Sequence, residues 1–206
     1  MKRQDQDIGP GQMIGYGSLR SIADIRYFER LSTALPSLEV TSDGGGIQMG
    51  FALSDMELIS SAFQQRGDIP KKHTGEGEDV SPPLSWSKAP EGTKSFALFC
   101  HDPDAPLVTP GAYGFVHWVL YNIPASATQL AEGEKNYTSG INSFGRDGYG
   151  GPMPPEGHGT HHYFFWLQAL DSETNLEPGL SMEALLKEIE PNVIGMNRLV
   201  GTYSRG

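Results

Sequence analysis

GYGGPMPPEGHGTHHYFFWLQAL, residues 148–170, decides how the rest of the chain is read. Its first sixteen residues hold five glycines, three prolines, three histidines and two tyrosines. Glycine reaches backbone angles that other residues avoid, and proline fixes φ and removes a donor. Residues 148–163 therefore predict a shaped loop with exposed N–H groups, neither helix nor strand. The loop runs into HHYFFWLQAL, residues 161–170, the most hydrophobic strand of the chain. A rigid loop feeding a buried strand is a common way to build a binding site. Side chains in a strand alternate faces. His161, Tyr163, Phe165 and Leu167 thus share one face, and His162, Phe164, Trp166 and Gln168 the other.

Outward from this strand, SFALFCH at residues 95–101 is apolar on both faces and predicts a central strand. It breaks at DPDAP, residues 102–106, where two prolines force a sharp corner. Residues 111–123, which contain GFVHWVLYN, predict the next central strand, closed by Pro124. By alternation Phe115, His117, Val119 and Tyr121 share a face there. SPPLSW at 81–86 is extended, and Pro83 and Pro90 confine it to an edge or a crossover. Residues 48–54 alternate like a strand, 198–203 read as a last strand, and 125–140 as polar connection. Residues 181–190 predict a helix, with Ser181 as N-cap, a stripe of Met182, Leu185, Leu186 and Ile189, and Pro191 as the stop. There is no repeat and no βα alternation. The pattern predicts an antiparallel β-sandwich or β-rich domain with one or two helices on its edge.

Residues 1–46 read as a separate N-terminal extension. Residues 1–14 are polar and glycine-dotted, which predicts disorder. Leu19, Ile22, Ile25, Phe28 and Leu31 predict a weak amphipathic helix over 18–35. DGGG at 43–46 is a flexible joint, so the globular domain is expected at 47–206.

The formal net charge is −10, from 15 basic and 25 acidic residues. That argues against a nucleic-acid partner, which needs an excess of Lys and Arg on one face. It also disfavours docking to an anionic membrane surface. Cys100 is the one cysteine, so no internal disulfide forms, which fits a reducing compartment. MKRQDQDIGPGQM at the start is followed by no apolar h-region. No window approaches the roughly 18 apolar residues of a membrane span. The expectation is a cytoplasmic protein without stable membrane anchoring.

Three strand ends each deliver polar groups: Asp102 and Asp104 at the corner, His117, and His161 with Tyr163. Converged, they suit a small oxyanion. Imidazolium, phenol and backbone N–H groups donate, and a carboxylate holds a histidine in its donor tautomer. Blander roles compete. A lone His in a buried strand is more often a satisfied core residue, and Asp102 more often caps a turn. His158, His161 and His162 look like a metal cluster, but the last two point to opposite faces, so neither a metal nor another cofactor is expected. No GxSxG, HExxH, P-loop or CxxC pattern is present. Ser143 is a nucleophile candidate by proximity alone. The alternative to a binding protein is a small hydrolase using His117 or His161 as base, with a metal at the histidine cluster.

Five ordered motifs, DVSPPLSW (79–86), DPDAP (102–106), VHWVLYNIP (116–124), the loop at 148–163 and LVGTY (199–203), resemble the phosphatidylethanolamine-binding protein family, also known as Raf kinase inhibitor proteins. The likeness is to its prokaryotic branch and covers about residues 48–205. It implies a mainly β fold, a large antiparallel sheet packed against a smaller one with a few peripheral helices. It implies a non-catalytic pocket for phosphate, acetate or a phospholipid head group, and a role as inhibitor or regulator of a kinase or protease. Asp102, His117, His161 and Tyr163 match the family's pocket residues, and Gly151, Pro154 and Pro155 its rim loop. Where the family usually has Arg between the second histidine and the tyrosine, this chain has His162. A cis Ala105–Pro106 bond is also among the implied features. The partners expected are a small anion or phosphorylated head group, a kinase or protease, and a second copy of the chain as a homodimer.

Overall fold

The computed structural model describes residues 53–105 and 114–206. The expected features of the extension lie outside these residues: its polar start, the helix at 18–35, the joint at 43–46 and the boundary behind it. So do most of the strand expected at 48–54 and residues 106–113 with the Ala105–Pro106 bond.

The described residues form β1 (Glu57–Ile59), β2 (Leu84–Ser87), β3 (Ser95–Asp102), β4 (Phe115–Pro124), β5 (Gln129–Leu130), β6 (Thr138–Ser139), β7 (His161–Leu170), α1 (Met182–Ile189) and β8 (Val193–Tyr203). The large sheet runs β6-β4-β3-β7-β8 and the small sheet β1-β2-β5, and all strand pairs within them are antiparallel. The fold is mainly β, a five-stranded sheet against a three-stranded one. No described helix is long and apolar enough to cross a membrane.

Alternation explains the layers. Phe96, Leu98 and Cys100 of β3, with Phe165 and Leu167 of β7, face Leu58, Leu84, Trp86 and Leu130 of the small sheet. Trp86 meets Phe96 edge-on, ring centres 5.3 Å apart. The opposite face of the large sheet, Ala97, Val119, Tyr121 and Leu170, is covered by Leu185 and Ile189 of α1. The Ser181 hydroxyl accepts the Ala184 N–H at 3.2 Å and starts that helix. A short 3-10 turn at Glu190–Asn192, with Pro191 in it, ends it.

Four details depart from the sequence reading. β2 is the middle strand of its sheet, not an edge. Pro83 and Pro90 flank it, so residues 84–87 keep every ladder donor. The polar stretch 125–140 contributes β5 and β6, two residues each, too short for any period to show. β8 begins at Val193, earlier than expected, because Gly195 interrupts the apolar signal while the backbone pairing continues.

The fourth departure matters most. Cys100 pairs with Trp118, but His101 pairs with Val116, so His117 is an extra residue in β4. Strict alternation therefore fails: Phe115 and His117 do not share a face with Val119 and Tyr121. Val116, Val119 and Tyr121 pack toward α1, whereas the His117 ring lies 5.1 Å from the Tyr163 ring on the other side. Bulges re-aim side chains in this way next to binding sites.

Candidate functional site

Asp102, His117, His161 and Tyr163 meet in one place. Asp102 ends β3, His161 and Tyr163 begin β7 beside it, and the bulge turns His117 onto the same side. All four line a cleft of about 200 Å³. Their exposures are 2%, 4%, 2% and 0% in chain order, so each polar group there is nearly dry. The walls are apolar: Phe115, Phe144, Met153, Pro154 and Pro155. Phe144 and Met153 are about half exposed and form the lip.

Asp102 does two jobs at once. One oxygen accepts the N–H groups of Asp104 and Ala105, at 2.9 and 3.2 Å, and caps the corner. The other accepts the Nδ1–H of His161 at 2.8 Å. The capping role and the tautomer-holding role, alternatives at the sequence level, are both met. His117 Nδ1–H donates to the Gly150 carbonyl at 2.6 Å. A carbonyl can only accept, so Nδ1 carries the proton and Nε2 keeps the lone pair. The Tyr163 hydroxyl has no hydrogen-bond partner among the described residues, and burial pushes its phenol far up.

The glycine loop behaves differently from expectation. The N–H groups of Gly150 and Gly151 are not offered to a ligand. Gly150 N–H donates to the His117 carbonyl at 2.9 Å and Gly151 N–H to Asp79 Oδ1 at 2.6 Å. Buried N–H groups need partners, and the fold supplies them internally. Gly151 does not line the cleft. A Cβ there would stand 2.5 Å from the His73 carbonyl oxygen, so only glycine lets the loop approach this closely. Pro154 and Pro155 do line it. Arg205 reaches the Pro154 carbonyl at 3.3 Å, and Gly75 N–H reaches Pro152 at 2.9 Å. Both brace the loop from outside.

His162 points to the exposed side, as alternation requires. Its ring Nδ1 and backbone N–H both meet Asp104 Oδ2, at 2.7 and 2.9 Å. Burial pushes the Asp104 carboxyl up, and the bonds to His162 outweigh it, so the group sits below the usual carboxylate range. His162 therefore still hydrogen-bonds a carboxylate at the position where the resembled family usually has Arg. The sequence reading missed Asp79, which holds Gly151 on one oxygen and Arg146 Nη2, at 2.7 Å, on the other. It also missed Phe115 and Phe144, whose rings pack at 4.7 Å. No motif marks an aromatic wall, but the placing of Phe115 two residues before His117 was a usable signal.

Burial holds His117 below the ordinary imidazole value of 6.5, against the opposing pull of its bond to Gly150 and the Asp102 charge. The unfolded chain thus takes up this proton at a pH where the folded protein does not. Stability of the ligand-free protein then falls as pH drops below 6.5, by about 1.4 kcal/mol for each pH unit of separation between the two states. Calorimetric unfolding should show a lower Tm at about pH 5.5 than at about pH 7.5, and His117→Gln should shrink the difference. An unchanged difference in the variant assigns the acid sensitivity elsewhere.

Residues 59–204 match the family model described as phosphatidylethanolamine-binding protein. A UPF0098 protein of Aquifex aeolicus is 39% identical over 85% of this chain and 99% of its own length. One from Methanothermobacter thermautotrophicus is 44% identical over 73% of this chain and all of its own. Among solved structures, a phosphatidylethanolamine-binding protein homologue of Chlamydia trachomatis is 37% identical with a TM-score of 0.68, covering 73% of this chain and 98% of that one. Escherichia coli YbcL, described as a member of the mammalian family, is 32% identical with a TM-score of 0.68, covering 74% and 100%. Motif, fold and relatives agree, and the chain belongs to the phosphatidylethanolamine-binding protein family.

Proposed function

We propose that the protein is a non-catalytic binder of a small oxyanion, either phosphate or a phosphorylated head group. Asp102, His117, His161 and Tyr163 contact the ligand, Pro154 and Pro155 form its rim, and Gly151 fixes the loop behind it. The observation that carries this reading is the Tyr163 hydroxyl, buried without a partner among the described residues, beside two imidazoles in an apolar-walled cleft. A buried polar group left unpaired costs stability, and a ligand oxygen would satisfy it. We attach to this site a regulatory role, inhibition of a kinase or protease partner that docks on the exposed lip of Phe144 and Met153.

The hydrolase reading is weaker. Ser143 Oγ accepts the Val116 N–H at 2.9 Å and ties the 143 loop to β4. Among the described residues, no group of three or more His, Cys, Asp or Glu side chains is arranged to hold a metal. Titrating inorganic phosphate and phosphorylethanolamine by calorimetry tests the proposal. Wild type should saturate, and His117→Ala should bind at least about tenfold more weakly, the usual scale for a lost charged hydrogen bond. Equal binding by the variant removes the cleft from consideration. Turnover in a phosphoesterase screen would favour the hydrolase.

A further inference from the structure

We propose that the Asp79–Arg146 ion pair is a latch on the mouth of the cleft, in which Arg146 is a positioning residue that acts on the rim loop through Asp79. The effect on ligand release rests on the anion-binding reading above; the latch itself does not.

Two walls of the mouth come from different loops. Met153, Pro154 and Pro155 come from the rim loop, and Phe144 from the turn after β6. That turn is closed by its own groups. Asn142 Oδ1 accepts the N–H groups of Phe144 and Arg146, at 3.0 and 3.4 Å, and Asn142 N–H donates to the Arg146 carbonyl at 2.9 Å. The Arg146 guanidinium lies over the Phe144 ring, 5.6 Å from its centre. Its Nη2 donates to Asp79 Oδ2 at 2.7 Å, while Asp79 Oδ1 accepts the Gly151 N–H at 2.6 Å. One carboxylate thus ties the turn that carries Phe144 to the start of the loop that carries Met153.

The two walls also touch directly. A Cβ at Gly150 would stand 2.5 Å from the Phe144 ring, so the ring rests on the loop backbone. Prolines at 152, 154 and 155 fix φ, so a displacement at Gly151 is passed along the loop rather than absorbed. Farther on, Gly75 N–H holds the Pro152 carbonyl and Arg205 the Pro154 carbonyl. Asp79 governs the end nearest Phe144. Its own backbone is left-handed, with φ at 56°, a conformation that Asp and Asn tolerate and most side chains resist.

The pair is open to solvent. The Arg146 and Asp79 side chains are 50% and 33% exposed. Both also line a second cavity of about 520 Å³, together with Glu78, Lys135 and Asp147. Dissolved ions therefore reach the pair. A half-exposed ion pair shifts an equilibrium by only about two- to fivefold. That is too small to hold the fold together, and it suits a contact that opens and recloses.

Hydrogen exchange at the Gly151 amide, read by NMR on the full chain, tests the latch without any ligand. Arg146→Met removes the charge and the donors of a side chain whose printed contacts do not include Gly151. It should speed exchange at Gly151 by about two- to fivefold, with Tm lowered by no more than a few degrees. Arg146→Lys returns the charge and should recover part of the protection. Asp79→Asn suits the left-handed backbone and keeps an acceptor, but discards the charge. It should speed exchange too, and adding Arg146→Met to it should change nothing further, because the arginine acts through the carboxylate. About 1 M KCl, where the screening length is about 3 Å, should speed exchange in wild type more than in Arg146→Met. Unchanged exchange in Arg146→Met, or strictly additive effects in the double variant, overturns the proposal. Inorganic phosphate supplies the second arm: its dissociation from Arg146→Met should quicken by the same factor as the amide. A quickened amide with unaltered phosphate release overturns the role at the mouth. If phosphate does not bind wild type, the anion-binding reading fails, and the amide result still decides whether the latch exists.

Discussion

Tyr163→Phe is expected to bind phosphate about 10- to 100-fold more weakly, the usual cost of losing a buried ligand hydrogen bond, while unfolding at no lower temperature than wild type. The two halves of this result come from one atom. The ring belongs to the core, packed with Phe165 and Leu199, and phenylalanine keeps all of it. The hydroxyl meets no acceptor or donor among the described residues. A desolvated hydroxyl without a partner costs about 1–3 kcal/mol, so its removal relieves the empty protein. Burial keeps the phenol protonated through the whole working range, so pH does not change its role as donor. Scanning calorimetry and a phosphate titration on the same preparation read both halves. A Tm several degrees below wild type would mean that the hydroxyl already serves the fold and is not free to donate to a ligand.

The largest stability effect is expected at Asp102. Asp102→Ala should cost about 3–5 kcal/mol in denaturant unfolding, the range for removing one member of a buried pair. Three donors lose their acceptor together: His161 Nδ1–H and the N–H groups of Asp104 and Ala105. The corner loses its cap and the ring loses its orientation, so anion binding should fall as well. Asp104→Ala makes the contrast. Its carboxylate and its partner His162 are both more than a third exposed, and such pairs are worth about 0–1 kcal/mol. A loss at Asp102 no larger than at Asp104 would show that water reaches the pair, contrary to the 2% exposure of Asp102.

The division between what was legible in the sequence and what was not follows from physics. His161 and Tyr163 were assigned to one face because β7 is regular and its period of two is unbroken from His161 to Leu170. The bracketing of α1 was legible because Ser181 and Pro191 act within a few residues of their own positions. β4 was misread because a bulge is a property of two strands together; nothing in VHWV alone announces that His101 will skip a partner. The glycine loop was read correctly as a shaped loop, but its Gly150 and Gly151 N–H groups are held within the fold. Which N–H groups stay available depends on Asp79, 72 residues earlier in the chain, and no local pattern carries that. The small sheet was underestimated because β5 spans only Gln129–Leu130.

The additional residue at His117 in β4 has an engineering consequence. Deleting His117, the residue between Val116 and Trp118, would bring the two strands back into step at that point. The ladder would close there, and the cleft would lose one of its two lining imidazoles. Scaffold and chemistry are thus separable by one codon: a variant lacking that residue is expected to keep the two-sheet scaffold with a cleft short of one imidazole.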